Sequence, residues 1–208
     1  MTVRVIFISA AGSAALREAR FDGGGPLDAA GLRRARTAAG TLPPARRSYA
    51  SPTARCRETA EALGLAAEPV PALDGCAMGR WRGRRLDEVM AAEPEAVAGW
   101  LSDPSCAPHG GESLLELHTR VAGWLDALPD SGQVGSGQAG SGQADSGQAG
   151  SGRVVVVAEP DVVRAALVHA LGAPPQVFWR LDVPPLTATE LSGRDGRWNL
   201  RCGTPLGS

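Results

Sequence analysis

The sequence predicts a three-layer α/β/α sandwich, in which a mostly parallel β-sheet carries helices on both faces. Short apolar segments of strand length, at residues 3–8 and 154–157, alternate with segments whose apolar residues recur at helical spacing. Alternating strands and helices are typical of a parallel sheet covered on both sides. The chain has 208 residues, enough for one such domain, and we therefore expect a single domain over residues 1–208.

The first half of the chain is predicted to contain two strands and four helices. Apolar residues at helical spacing define the helices, and helix-starting and helix-stopping residues bound them: Gly40 ends the first, while Pro52 opens the second and Gly64 ends it. In chain order we expect strands at residues 3–8 and 48–50, and helices at residues 28–40, 52–63, 86–90 and 94–101.

The second half is predicted to contain the longest helix, a buried strand, a further helix and a hairpin. Leu117, Val121 and Leu125 fall on one side of the long helix. The turn at residues 193–196, Gly-Arg-Asp-Gly, separates two strand-like segments and indicates a hairpin. We expect helices at residues 112–128 and 160–171, and strands at residues 154–157, 186–191 and 197–201.

Residues 130–152 interrupt the domain with a near-repeat of five residues in which Ser-Gly-Gln recurs. This Gly/Ser/Gln-rich segment has almost no apolar side chains, so it cannot bury enough surface to offset the entropy of ordering. We expect a flexible surface loop, because long flexible insertions add little closure entropy.

Composition excludes several classes of function. The 21 basic and 22 acidic residues give a net charge of −1, which argues against a nucleic-acid-binding protein with a broad basic face. No apolar run approaches the ~18 residues of a membrane span, and the N-terminus does not resemble a signal peptide, so we expect a cytoplasmic protein without membrane contact. The four cysteines contain no Cys-x-x-Cys pair, and we expect neither a metal site nor a cofactor.

Several short motifs follow one another in a characteristic order. They are Gly-Gly-Pro-Leu-Asp-Ala-Ala-Gly at residues 24–31, Ser-Pro-Thr-Ala-Arg-Cys-Arg-Glu-Thr-Ala at 51–60, Gly-Arg-Trp-Arg-Gly at 79–83, His-Gly-Gly-Glu-Ser at 109–113 and Pro-Leu-Thr-Ala-Thr-Glu-Leu at 185–191. In these motifs the chain resembles the histidine phosphatase superfamily, with its phosphoglycerate-mutase-like fold, and most closely the small α-ribazole-phosphatase-like branch. The resemblance covers nearly the whole chain outside residues 130–152 and supports the fold prediction.

The catalytic positions implied by this resemblance carry other residues. Ala11 stands where the family has its phosphate-accepting histidine, and Ala10 stands where it has the preceding arginine. Gly75 replaces the acidic proton donor, and Glu159 replaces the second histidine. The family reaction needs an imidazole nucleophile, which Ala11 cannot provide.

Four residues remain as candidate ligand contacts: Arg55, Arg17, Gly12 and Glu159. Arg55, in the family's pocket, either holds an anionic ligand or pairs with a local carboxylate. Arg17 falls where the family has a phosphate-contacting asparagine. Glu159 precedes Pro160, so it either caps a helix and pairs with Arg55 or acts as a general base. We expect Arg55 and Glu159 to lie within salt-bridge distance, directly or through a water or Arg17.

The sequence therefore predicts a catalytically degenerate histidine-phosphatase-like protein, a non-catalytic binding or regulatory module for a small anionic ligand or a protein partner. The branch it resembles works in cobalamin assembly, which raises a cobalamin or cobalt context. One alternative is an enzyme of other chemistry, with Glu159 as base and Arg55 and Arg17 as anion anchors. The other is retained phosphomonoesterase activity.

Overall fold

The computed structural model describes residues 3–21, 25–128, 153–194 and 197–205. The strands in these ranges are β1 (Val3–Ser9), β2 (Arg47–Ala50), β3 (Glu68–Pro69), β4 (Arg153–Ala158), β5 (Thr187–Arg194) and β6 (Arg197–Pro205). The α-helices are α1 (Ala14–Arg17), α2 (Ala29–Thr37), α3 (Ala54–Ala62), α4 (Leu86–Ala92), α5 (Pro94–Ser102), α6 (Leu114–Asp126) and α7 (Pro160–Ala170). Short 3-10 turns occur at Pro71–Leu73, Gly79–Trp81 and Pro175–Arg180.

The strands form one sheet in the order β3-β2-β4-β1-β5-β6. Strands β3, β2, β4 and β1 are parallel, whereas β5 and β6 pair antiparallel at the edge next to β1. In the centre, β1 and β4 are neighbours, with Ile6 opposite Val155. The prediction of a mostly parallel sheet is therefore confirmed.

Helices cover both faces of this sheet because the central strands are apolar on both sides. One face buries Phe7 and Val156 against α6 and α7, including Leu117 and Val163. The opposite face buries Ile8 and Val157 against a smaller cluster, to which α3 contributes Cys56 and Ala60. The sequence therefore specifies a three-layer sandwich through alternation of core-facing side chains along β1 and β4.

The predicted helices are present; α2, α3 and α6 are shorter than expected because capping residues lie outside the helix itself, whereas α4 and α5 run one or two residues further. Asp28 accepts a bond from the Gly31 amide before α2, and Thr53 accepts one from the Cys56 amide before α3. Ser113 forms a capping box with Glu116 at the start of α6. Helix α1 and strand β3 were not predicted, since they span only four and two residues and bury none of them.

Strand β6 runs to Pro205, beyond the predicted end at residue 201, while pairing antiparallel with β5 as the hairpin prediction required. The predicted flexible loop at residues 130–152 lies outside the described residues. No helix in the described ranges is long and apolar enough to cross a lipid bilayer.

Candidate functional site

The site lies where parallel strands β1, β2 and β4 end, the edge at which open α/β sheets bind ligands. The chain continues from β2 into α3, whose first turn carries Arg55, and from β4 into α7 through Glu159. Both side chains are almost completely buried, with Arg55 3% and Glu159 5% exposed. Two oppositely charged residues from different strand ends therefore meet inside the protein.

Arg55 and Glu159 form a direct ion pair. The Arg55 Nη2 atom contacts Glu159 Oε2, and Arg55 Nε donates to Glu159 Oε1 at 3.4 Å. The pairing expected from the sequence is confirmed, without any contribution from Arg17. A fork-like contact of this kind uses two N–H groups of the guanidinium on both carboxylate oxygens.

Neighbouring side chains complete the hydrogen bonding of the pair. Thr53 Oγ1 donates to Glu159 Oε1 at 2.8 Å, and Cys56 Sγ approaches the same oxygen at 3.5 Å. Burial, together with the Glu159 carboxylate, raises the pKa of the Cys56 thiol, which therefore remains a protonated donor. Arg55 Nη1 donates to Ser13 Oγ at 3.1 Å, so the buried charges are held from both sides.

Glu159 lies at the start of α7, in the N-cap position, and pairs with Arg55, as expected, but its side chain does not bond to the helix amides. The carboxylate points instead to Arg55 and Thr53. Pairing with a buried guanidinium outweighs a bond to helix amides, because an unpaired Arg55 would be costly at this depth.

The segment after β1 supplies no reactive side chain. Ala10 and Ala11 are buried, at 2% and 0% exposed. The Ala11 amide donates to Thr59 Oγ1 at 3.1 Å, and its methyl group packs with Ala35 and Leu186. Gly12 is only partly buried. Gly31 packs closely against the Gly12 carbonyl, and a Cβ at Gly31 would clash with that carbonyl oxygen.

Arg17 does not join the site. Its side chain is 62% exposed and pairs with Asp28, the N-cap residue of α2. The expectation that Arg17 contacts an anion in the pocket is therefore corrected: of the described residues, it is not among those lining the cavity beside Arg55. The short helix α1, which follows the Ser13 cap, carries it to the surface instead.

A cavity of about 590 Å³ adjoins the ion pair. Arg55, Thr53 and Glu159 line it, together with Gly75. Among the described residues, neither Ala11 nor Gly12 lines it. Aromatic and apolar side chains form much of the wall: Leu16, Phe21, Met78, Trp100, Leu114, Leu117, Phe178 and Trp179.

Asp161 is the acidic residue that sequence reasoning missed. A Cβ added to Gly75 would lie 3.4 Å from Glu159 Cγ and 3.6 Å from Asp161 Oδ2. The two Asp161 oxygens accept bonds from the Cys76 amide at 2.7 Å and the Val162 amide at 2.8 Å. Burial and the nearby Glu159 carboxylate raise the pKa of Asp161 to about 6. Asp161 lies two residues after Glu159, in the first turn of α7, and this position in the sequence could have marked it as a site residue.

Three arginines line the cavity besides Arg55: Arg20, Arg82 and Arg164. Arg20 pairs with Glu18 and also donates to the Gly83 carbonyl. The Arg164 guanidinium carbon lies 5.6 Å from the centroid of the Phe178 ring, and its buried Nε has no partner within the described residues. Arg164 was not among the candidate ligand contacts predicted from the sequence.

The three histidines lie away from the cavity, so the described residues bring no imidazole to it. His109 is buried against Trp81, with ring centroids 5.1 Å apart. His118 and His169 face each other across α6 and α7 at 5.9 Å. Within the described ranges, no group of three or more His, Cys, Asp or Glu side chains could hold a metal ion. The arrangement can bind and orient a ligand, and Asp161 can exchange a proton.

A mostly parallel sheet with its site at the strand ends defines an open α/β protein. Comparison with known families makes this specific: the model of the histidine phosphatase superfamily, branch 1, matches residues 15–203, and the chain belongs to this family. The matched region begins after Ala10, Ala11 and Gly12.

One curated relative matches part of the chain, and solved structures share its fold. A glucosyl-3-phosphoglycerate phosphatase from Mycolicibacterium vanbaalenii is 32% identical over 128 residues, 58% of this chain and 51% of that protein, so the match spans about half of that curated relative. The structure of a mycobacterial glucosyl-3-phosphoglycerate phosphatase has a TM-score of 0.77 at 23% identity, with 100% of both chains covered. The α-ribazole phosphatase of Shigella flexneri has a TM-score of 0.76 at 20% identity, covering 99% of this chain and 96% of that one.

Proposed function

We propose that this protein is a non-catalytic member of the histidine phosphatase superfamily, a binding or regulatory module for a small anionic ligand. The observation that carries the proposal is the buried Arg55–Glu159 ion pair. In the family, by the resemblance of motifs, these two positions face the substrate phosphate. Here the Glu159 carboxylate takes the guanidinium that would otherwise bind the phosphate, and its negative charge repels a second anion.

The missing chemical groups support the same conclusion. A phosphohistidine intermediate requires an imidazole, and Ala11 is a buried alanine. A general acid contributes about 10²–10⁴-fold, and Gly75 has no side chain with which to supply it. Asp161 lies beside Gly75 and carries a proton below pH 6, yet a proton donor without a nucleophile does not cleave a phosphate ester.

The geometry weighs against the alternative in which Glu159 is a general base anchored by Arg55 and Arg17. Its carboxylate is engaged by Arg55, Thr53 and Cys56, which leaves little capacity to accept a substrate proton. Arg17 is an exposed residue paired with Asp28. A binding role requires neither residue to change partner.

The proposal is tested by a phosphatase assay on the purified protein. The substrates are 4-nitrophenyl phosphate and two esters suggested by the names of similar proteins, glucosyl-3-phosphoglycerate and α-ribazole 5′-phosphate. The α-ribazole ester also examines the cobalamin context, which so far has only a likeness of fold behind it. We expect wild-type protein to release phosphate no faster than the Arg55→Ala variant.

The Arg55→Met/Glu159→Met double variant is the matched control, because it removes both charges and leaves neither buried alone. Turnover in wild type that disappears in both variants would contradict the proposal. A thermal-shift screen of phosphorylated metabolites and carboxylates then identifies ligands, since a ligand that binds only the folded protein raises its melting temperature.

A further inference from the structure

The cavity beside the ion pair is also lined by Arg164. We propose that Arg164 holds the anionic group of the ligand, and that the ligand is an organic anion with a flat aromatic body. This inference rests on the proposed function and names the ligand class of the same cavity. Three observations support it: Arg164 has no hydrogen-bonded partner among the described residues, aromatic rings line the cavity, and the Glu159 and Asp161 carboxylates lie beside Gly75.

Arg164 is placed to receive an anion. It lies on α7, one turn after Asp161, and lines the cavity. No salt bridge joins it to another described residue, and its buried Nε lacks a hydrogen-bond partner there. No hydrogen bond joins the rest of the Arg164 guanidinium to another described residue, so a carboxylate or phosphate bound in the cavity would supply the acceptors it lacks. Arg55, in contrast, is already occupied by Glu159.

The ring of Phe178 holds the Arg164 guanidinium in place. With the guanidinium carbon 5.6 Å from the ring centroid, the aromatic face attracts the cation. A guanidinium that stacks on a ring keeps the N–H groups along its edge free for a carboxylate or phosphate. Phe178 itself is 4% exposed, so this support is fixed by the core.

The remaining wall suits a planar apolar body. Trp100 and Trp179 meet edge to face with ring centroids 4.5 Å apart, and Phe178 packs against Trp179 at 5.0 Å. Phe21 continues the row, at 5.6 Å from Trp100. All four rings line the cavity, and aromatic walls of this kind favour offset or edge contacts with a ligand ring. The volume of about 590 Å³ falls within the usual range of small-molecule sites.

The carboxylates determine the orientation of the ligand. Glu159 and Asp161 lie together beside Gly75, and their charge disfavours an anion at that end of the cavity. Both Asp161 oxygens are engaged by the amides of Cys76 and Val162. The anionic end of the ligand therefore faces Arg164, while its ring lies along Trp100 and Trp179.

Calorimetric titration of the full chain tests this with four probes: 2-naphthoate, 2-naphthyl phosphate, the neutral 2-naphthamide and inorganic phosphate. The two naphthyl anions distinguish a carboxylate from a phosphate ligand. We expect at least one of them to bind and to quench the fluorescence of Trp100 and Trp179. We expect 2-naphthamide and inorganic phosphate to bind at least about 10-fold more weakly, since the amide lacks the anionic group and phosphate lacks the aromatic ring.

The variant Arg164→Gln should weaken binding of the naphthyl anion by about 10- to 100-fold, the range for a lost charged hydrogen bond. Arg33→Gln, which removes an equal charge from an exposed position on α2, is the control and should leave affinity unchanged. Equal affinity for 2-naphthamide, full affinity in Arg164→Gln, or no binding of either naphthyl anion would overturn the inference.

The same samples separate this inference from the proposed function. If 2-naphthyl phosphate is hydrolysed to 2-naphthol by wild-type protein, the non-catalytic proposal fails whatever Arg164 does. If it is bound intact with an affinity that Arg164→Gln does not change, the proposal of a binding module stands and the role of Arg164 is wrong.

Discussion

The Glu159 carboxylate accepts hydrogen bonds from the Arg55 guanidinium inside the protein, at the junction of two parallel strand ends. Neither residue is more than 5% exposed. Removing two charges from water is expensive, and in such pairs the attraction offsets this only when further hydrogen bonds complete the shell. Thr53 and Ser13 provide those bonds. The protein is therefore expected to lose stability when only one of the two residues is removed, because the other is left buried without a partner.

The single variant Arg55→Met is expected to lower the free energy of unfolding by about 3–5 kcal/mol, because it leaves Glu159 buried without its cation. The double variant Arg55→Met/Glu159→Met should recover most of that loss. Urea denaturation of the two variants and wild type measures the difference. Equal destabilisation by the single and double changes would show that the loss comes from packing rather than from an unpaired charge.

The raised pKa of Asp161 makes the stability of the protein fall as the pH rises. Its pKa rises from about 3.9 in the unfolded chain to about 6 in the fold. The stability that protonated Asp161 contributes is full below pH 4 and is lost as the pH rises through 6. Wild type should therefore lose about 1–2 kcal/mol relative to Asp161→Asn between pH 4 and pH 7, allowing for its partial exposure.

Chemical denaturation of both proteins at matched pH values measures the difference in their free energies of unfolding. A hydrogen bond lost in Asp161→Asn shifts this difference equally at every pH, so it does not affect the change with pH. A gap between the two proteins that is independent of pH from 4 to 7 would contradict the raised pKa of Asp161.

Placing a carboxylate at position 75 should be unfavourable. A Cβ fits there, since its nearest contact would be Glu159 Cγ at 3.4 Å, but the Gly75→Glu side chain would bring a third carboxylate beside Glu159 and Asp161. At pH 8 we expect Gly75→Glu to be about 1–2 kcal/mol less stable than Gly75→Gln, and the difference to narrow near pH 4, where Asp161 is protonated. The melting temperatures of the two variants at pH 8 and pH 4 test this prediction. Equal stability at pH 8 would mean that the new side chain points away from both acids.

Placing an imidazole at position 11 should also destabilise the protein. Ala11 is fully buried against Ala35 and Leu186, so the Ala11→His ring has no space to enter. Overpacking of this kind costs about 1–3 kcal/mol. Ala11→Ser, a much smaller addition, is the control and should be closer to wild type in thermal denaturation. An Ala11→His variant as stable as Ala11→Ser would indicate that the end of β1 opens towards the cavity.

The sequence predicts most of the fold and the central contact of the site. Periodicity places the main strands and helices, and two strand ends that meet at one sheet edge are enough to bring Arg55 to Glu159. Arg17 could not be placed in this way, because a four-residue helix without buried residues leaves no periodic signal. The importance of Asp161 and Arg164 depends on burial by distant segments, such as the Cys76 amide and the Phe178 ring, which a linear pattern does not contain.

The Glu159 carboxylate is part of the same chain as Arg55, so it is a tethered competitor whose effective concentration does not change with growth conditions. Tethered groups reach effective concentrations of about millimolar, and a pre-positioned side chain loses little further freedom on pairing. Inorganic phosphate and common sugar phosphates would have to displace it from a buried position. Under the proposed function, free phosphate competes poorly for Arg55, and the choice of ligand depends on the aromatic wall of the cavity.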